Sequence, residues 1–592
     1  MNLTLREILD RYGPTIAVIV ALLFLVIVFP ADKSSNLESI TAGSETATTA
    51  SLPTEVAGEV VDNETTVTGG STVAASGGGR TATAGGTGAI ASAPDAVKGA
   101  ANKICRKEDG RQPAISWHAV PCVAKFSGNN GGATARGVTA KEITVVRYMA
   151  QVSAATQAAL IAAGADDNRE DQDRMDAATA DYFRWHYESY GRNVKIVTMD
   201  ASGESSDDAA MRADAKTIAD KHKALAAWGG PDTLAEELAA RGVICICTTS
   251  QSDIFYKQTK GYIFSSLPSS EEYGTMIAEY VGKRLKGRVA KHAGTGVSTQ
   301  QRKFGLLYLE ATSAGPRRNA KEVRDHALNE MKKYGVTNVK AVGYSSDLEV
   351  AQQQATNVIS QFKDAGVTSI VLLADPLFPI FLTQEATRQA YFPEWLITGT
   401  ALTDTTFFGR TYDKTQWNHA FGISPLWVFW VDVSTSSGYR EYHHARPGSN
   451  RGDEGVSINV RRSPLQWIFQ GIHMAGPNLT PKTFAQGMYN YPKTGGTPAA
   501  PLVFFTPEHP NAIKDFTEVW WNPNGSGRDE TGKDGPGTLM KVAGGKRYMT
   551  GTWPTSESKV FQTAGAVYTA DLPLPKHEAD GHKHSGKCLS CG

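Results

Sequence analysis

From residue 141 the chain alternates between two hydrophobic periods. "KEITVVRYM" (141–149) is rich in β-branched residues and reads as a strand. "DQDRMDAATADYFRWHYESYG" (171–191) has a helical period and stops at Gly191. "NVKIVTMDA" (193–201) predicts a second strand, and "SSDDAAMRADAKTIADKHK" (205–223) a helix with a Ser/Asp-rich start. "ALAAWGG" (224–230) is a third strand that ends in glycines. "PDTLAEELAARG" (231–242) is a helix with Pro and an acid in its first turn, and "VICICTTS" (243–250) a fourth strand. Strand–helix alternation with short connections predicts a parallel sheet covered on both faces.

The alternation then restarts. Helices are expected at 269–287, 317–335, 350–366 and 378–393, and strands at 303–310, 338–345, 367–375 and 394–400. No repeat of solenoid period is present. The pattern predicts an α/β chain of two successive lobes. "PLWVFWVDV" (425–433) reads as an aromatic core strand. His443 and His444 follow it; on a strand they would face opposite sides, a poor arrangement for holding one ion. "RGD" (451–453) carries almost no specificity at three residues and reads as a solvated loop.

The front of the chain differs. In "PTIAVIVALLFLVIVFP" (14–30) only Thr15 is polar, at the lower length limit for a bilayer span. An uncleaved anchor and a cleaved signal peptide both fit, and either exports the rest of the chain. Between 31 and 100 there is no Phe, Trp or Tyr, and 45 of those 70 residues are Ala, Gly, Ser or Thr. Such a segment cannot bury enough apolar surface to offset its ordering entropy, so it reads as a spacer.

Composition adds mainly exclusions. The 592 residues suffice for two to four domains, and equal numbers of acidic and basic residues remove any global signal for nucleic acid. "GRDETGKD" (527–534) nearly spells a phosphate-binding loop but lacks the final Ser/Thr and a following helix. There is no H-E-x-x-H and no G-x-S-x-G, so the expectation is a protein that is not an enzyme.

Five stretches carry a resemblance: "AAWGGPDT" (226–233), "GVICICTTSQSDIF" (242–255), "YIFSSLPSSEEYGTMIAEYV" (262–281), "ATNVISQFKDAGVTSIVLLAD" (355–375) and "SPLQWIFQGIHMAGPNLTPKTF" (463–484). Together they resemble the type I periplasmic solute-binding proteins, in particular the branched-chain amino acid branch. The resemblance spans roughly 140–520. It implies two Rossmann-like lobes with parallel sheets, joined by a hinge of three crossover strands and closing on a ligand. The organisation it suggests is an anchor or signal (1–33), a disordered linker (34–100), a Cys-bearing lead-in (101–137), lobe one (138–265 plus 397–475), lobe two (266–396 plus 476–570) and a tail (571–592).

Ligands of open α/β sheets sit outside the carboxyl ends of strands. That rule selects Gly229, Gly230, Asp232 and Thr233 after the third strand, and Thr248, Thr249 and Ser250 after the fourth. The family uses matching loops to hold a ligand carboxylate and ammonium. An aromatic residue expected after the lobe-two strand is missing from "EATSAGPRR" (310–318), and the acid expected in "TGTALTD" (398–404) has only Asp404 as a candidate. The pocket therefore departs from an amino-acid pocket. The functional expectation is a solute-binding protein that serves an ABC importer permease. The alternative is a membrane-tethered sensor or protein-interaction module. In both the body is extracytoplasmic, and no cofactor is required.

Exported thiols tend to oxidise. Cys105 and Cys122 are expected to form one disulfide. Cys245 and Cys247 share one face of a buried strand and read as small apolar groups. At the end of the chain, His577, His582, His584, Cys588 and Cys591 suit Zn or Cu ions. A Cys588–Cys591 disulfide and an inert tail are the competing readings.

Overall fold

The computed structural model describes residues 110–563, except 113–115, 117, 125, 165–166, 248–249, 260, 311–319 and 427–435. The expected anchor, linker and His/Cys tail lie outside the described residues. No helix among the described residues is long and apolar enough to cross a membrane.

Lobe one is built on a four-stranded parallel sheet of order β2-β1-β3-β4, with β1 Glu142–Gln151, β2 Asn193–Glu204, β3 Ala226–Trp228 and β4 Ile244–Ile246. The centre of β1, Val145–Tyr148, is buried on both faces, as a parallel strand covered by helices requires, with Arg147 paired to Asp176. The helix Arg169–His186 starts where Asn168 accepts the Asp171 N–H, with Glu170 and Asp171 in its first turn and Arg184 and His186 in its last. Lobe two carries the larger sheet, β6-β5-β7-β8-β9-β10-β11. Its strands are β5 Phe304–Leu309, β6 Lys340–Tyr344, β7 Ser369–Leu373, β8 Glu394–Ile397, β9 Ala420–Ser424, β10 Phe516–Arg528 and β11 Asp534–Lys541. Strands β5 to β9 are parallel. Strand β10 runs antiparallel to β9, β11 and the short β12 Arg547–Tyr548.

The expected lobe boundaries need two corrections. Residues 420–424 are expected in lobe one, but Trp395 pairs with Ala420 and Thr517 with Ser424, which fixes β9 inside the lobe-two sheet. The stretch after 476 is expected in lobe two, but the helix Pro481–Tyr489 packs on the lobe-one helix Ile458–Ala475. The Tyr491 hydroxyl also donates to the His118 carbonyl, 2.6 Å away.

The chain passes between lobes beside one seam. Phe264 N–H donates to the Cys245 carbonyl, so the first crossing leaves along β4. Ser265 pairs in parallel with Asn511 of a later crossing, through Ser265 N to Pro510 O at 3.2 Å and Ala512 N to Ser265 O at 2.9 Å. The crossing after β9 begins at Pro425 and Leu426. Their carbonyls accept from the Arg547 guanidinium, which also pairs with Asp515 at 2.8 Å.

His443 and His444 are in a helix, Ser437–Ala445, not on a strand. Ser436 caps it by accepting the Tyr439 N–H, and Tyr439 and His443 stack one turn apart at 4.1 Å. His443 pairs with Glu454, while His444 meets the edge of Tyr182. "GRDETGKD" forms the tip of the β10–β11 hairpin, closed by Asp529 accepting the Thr531 and Lys533 N–H groups.

Candidate functional site

Each parallel sheet has a switch point where strand order reverses. In lobe one it lies between β1 and β3, in lobe two between β5 and β7. The carboxyl ends of the two sheets meet. The helix Ala154–Ala163, which follows β1, lies against the turn Leu348–Val350, which follows β6. The Lys533 ammonium, on the β10–β11 tip of lobe two, lies over Gly164 of lobe one. Inter-lobe contacts thus lie beside the carboxyl ends of both sheets.

Gly229 and Gly230 stand at this edge with φ of +83° and +95°. A Cβ on Gly229 would come within 2.4 Å of the Tyr148 carbonyl oxygen, and one on Gly230 within 2.4 Å of Leu234. Glycine here lets the β3 turn lie directly on β1. Asp232 opens the next helix and accepts from the Gln251 side chain at 2.6 Å, tying the β3 turn to the β4 turn. Thr233 is buried and donates to Asp208 at 2.6 Å. Asp232 and Thr233 therefore brace the wall from within. Thr248 and Thr249 lie outside the described residues. Ser250 is partly exposed and sits beside the Tyr273 hydroxyl, which burial pushes far up in pKa, with Asp404 adding to the rise.

On the lobe-two side the turn after β8 is strained. Gly399, Ala401 and Leu402 all have positive φ, at 81°, 48° and 71°. Asp404 follows it, fully buried. One of its carboxylate oxygens accepts from Ser424, and the other has no hydrogen-bond partner among the described residues. Burial pushes this carboxyl up to about 7. After β7, Asp375 accepts the Leu377 and Phe378 N–H groups at 2.8 and 3.0 Å, and Tyr344 stacks on Phe378 at 4.2 Å. The two rings are buried in the core beside the carboxyl ends of β6 and β7. Sequence reasoning misses Tyr344 because it looks for an aromatic after β5, and Tyr344 ends β6.

Cys245 and Cys247 lie on one face of the β4 end with Cα atoms 5.2 Å apart, Cys245 buried and Cys247 partly buried against the lobe-one core. Cys122 is buried and disulfide-bonded; its expected partner Cys105 lies outside the described residues. His577, His582, His584, Cys588 and Cys591 also lie outside them. Among the described residues no group of three or more His, Cys, Asp or Glu is placed to hold a metal ion.

No protein-family model matches the chain, and no curated protein matches it. Solved structures do. A substrate-binding protein of an ABC transporter from Aeropyrum pernix aligns at 12% identity over 70% of this chain and 97% of its own, with a TM-score of 0.49. A solute-binding protein from R. palustris in complex with 4-hydroxybenzoate aligns at 13% identity over 70% and 99%, with a TM-score of 0.47. The branched-chain amino acid transporter substrate-binding protein of Streptococcus pneumoniae, in complex with isoleucine, aligns at 12% over 68% and 100%, with a TM-score of 0.44. Many of the solved structures similar to this chain are ABC transporter substrate-binding proteins.

Proposed function

We propose that the chain is an extracytoplasmic solute-binding protein, not an enzyme, which captures a small solute between its lobes and presents it to an ABC importer. The observation that carries this reading is the apposition of two parallel sheets at their carboxyl ends, across a seam of crossing strands. Each sheet alone offers a ligand edge at its switch point, and two such edges in one space make a cleft that hinge rotation opens and closes. Gly229, Gly230 and Ser250 form the lobe-one wall, with Asp232 and Thr233 as its internal braces. The turn at 399–402 supplies the opposing wall, with Tyr344 and Phe378 buried in the core beside the ends of β6 and β7. The apolar run 14–30 tethers the body to the outer face of the membrane, with 34–100 as its stalk. The lead-in is pinned by a Cys105–Cys122 disulfide.

Native mass spectrometry of the full chain purified without added ligand tests this directly. A retained small molecule, lost on substituting Gly229 with Val, is the expected result. Isoleucine and 4-hydroxybenzoate are the first solutes to add back, each read as a rise in Tm. No retained molecule, and no Tm rise with either solute or a broad panel of amino acids and organic acids, would overturn the reading.

A further inference from the structure

Five charged groups from three separate segments meet where the lobes join. Asp253 opens the lobe-one helix Asp253–Gln258. Glu271 and Glu272 open the lobe-two helix Ser270–Tyr280. His509 and Lys514 flank the later crossing that pairs with Ser265. Their contacts run across the hinge. Glu271 accepts the Asp253 N–H at 2.9 Å. His509 Nδ1 stands 3.5 Å from Asp253 Oδ1. Glu272 completes a capping box with Ser269, accepts from the Asn511 side chain, and pairs with the Lys514 ammonium at 3.1 Å. Lys257, on the helix of Asp253, is a further nearby charge, and it is exposed; Asp232 and Asp404 act on the neighbouring Tyr256 and Tyr273. Tyr256 and Tyr273 line the buried side of Glu272.

We propose that Asp253, Glu271, Glu272, His509 and Lys514 form a proton-operated latch at the inter-lobe hinge, fastened when Glu271 and His509 are both protonated. The charge count supports this. With both protonated, Asp253 and Glu272 balance His509 and Lys514, and the cluster is neutral. With both deprotonated, three carboxylates face one ammonium, a net charge of −2 across the seam. Burial and the nearby Asp253 push Glu271 up to about 7. The interaction with Asp253 holds the proton on His509 above its usual range. Glu271 therefore exchanges its proton near neutral pH and His509 loses its own at higher pH than a free imidazole, so the juxtaposition of lobe one with the start of lobe two loosens as pH rises.

The latch concerns hinge motion and rests on the two-lobed reading, not on which solute is taken. Hydrogen exchange of the full chain, measured by mass spectrometry at pH 6 and pH 8 and corrected for intrinsic rates, needs no ligand. One linked proton changes an opening equilibrium by up to about tenfold per pH unit, so peptides covering 262–266 and 510–514 are expected to lose about threefold or more protection at pH 8. The helix 458–475 should keep its protection. A loss below about threefold would overturn the proposal, as would the same loss in helix 458–475. A Glu271→Gln/His509→Gln double variant that retains the wild-type pH dependence would overturn it as well. Failure here leaves the solute-binding reading standing, because retained solute is measured separately.

Discussion

His473 shows how one buried ring couples the fold to pH. Its Nδ1 accepts the Glu188 N–H at 3.0 Å, and its Nε2 donates to the Pro121 carbonyl at 2.9 Å. That geometry fits only the neutral ring, since a proton on Nδ1 would face another N–H. Burial lowers its pKa to about 4, and burial with nearby arginines lowers that of His118 to about 3. The unfolded chain binds more protons than the folded one below about pH 6.5, so these rings lose stability as pH falls from 6.5 towards 4. Urea unfolding at pH 7 and pH 5 should show this drop, and His473→Gln should reduce it. Asp404 acts in the opposite direction. Its raised pKa means the folded state holds its proton longer, so it destabilises as pH rises from about 4 to about 7. Asp404→Asn should raise Tm relative to wild type more at pH 8 than at pH 4.5. Gly229→Val should cost roughly 1–3 kcal/mol of stability from its positive φ, with the close approach of Tyr148 adding to that.

At the level of elements, strong alternation is legible and weak alternation is not. Strands β3 to β8 lie within the stretches read from sequence, and β1 and β2 start within theirs but run two and three residues past the expected ends, because short apolar runs between turn residues leave few alternatives. The helix Ala154–Ala163 escapes a reading by pattern. Its sequence, AATQAALIAA, has no polar face to set a period, and none of its residues is buried where the side chains are described. Strands β10 and β11 escape it too, since "VWWNPNGSG" mixes aromatics with turn residues that a sheet edge tolerates. The candidate site is legible as loops at strand ends, but not as a set of contacts. Nothing in the spacing of Asp232 and Gln251 announces that they bond to each other. The tie at Arg547 is another long-range contact of this kind. Its guanidinium joins Pro425, Leu426 and Asp515, and its side chain and that of Asp515 are 1% and 4% exposed. Arg547→Met removes the ion-pair partner of buried Asp515, which keeps its bond from the Leu502 N–H and its attraction to the Lys541 charge, and should cost roughly 3–5 kcal/mol in urea unfolding.

At the level of the whole molecule, the two lobes are unequal in how they are written along the chain. The lobe-one sheet is complete by Ile246, yet the helix that covers it, Ile458–Ala475, comes more than two hundred residues later. At about 5–20 residues per second of synthesis, the strands wait roughly 10–45 seconds for their cover. During that interval Trp228, Ile244 and Ile246, all buried in the finished core, lack the helix Ile458–Ala475 that packs on β3 and β4. The nascent chain is then a client for any factor that shields apolar sheet surface. A chain cut after residue 426 should bind a hydrophobic dye strongly, and the full chain should not.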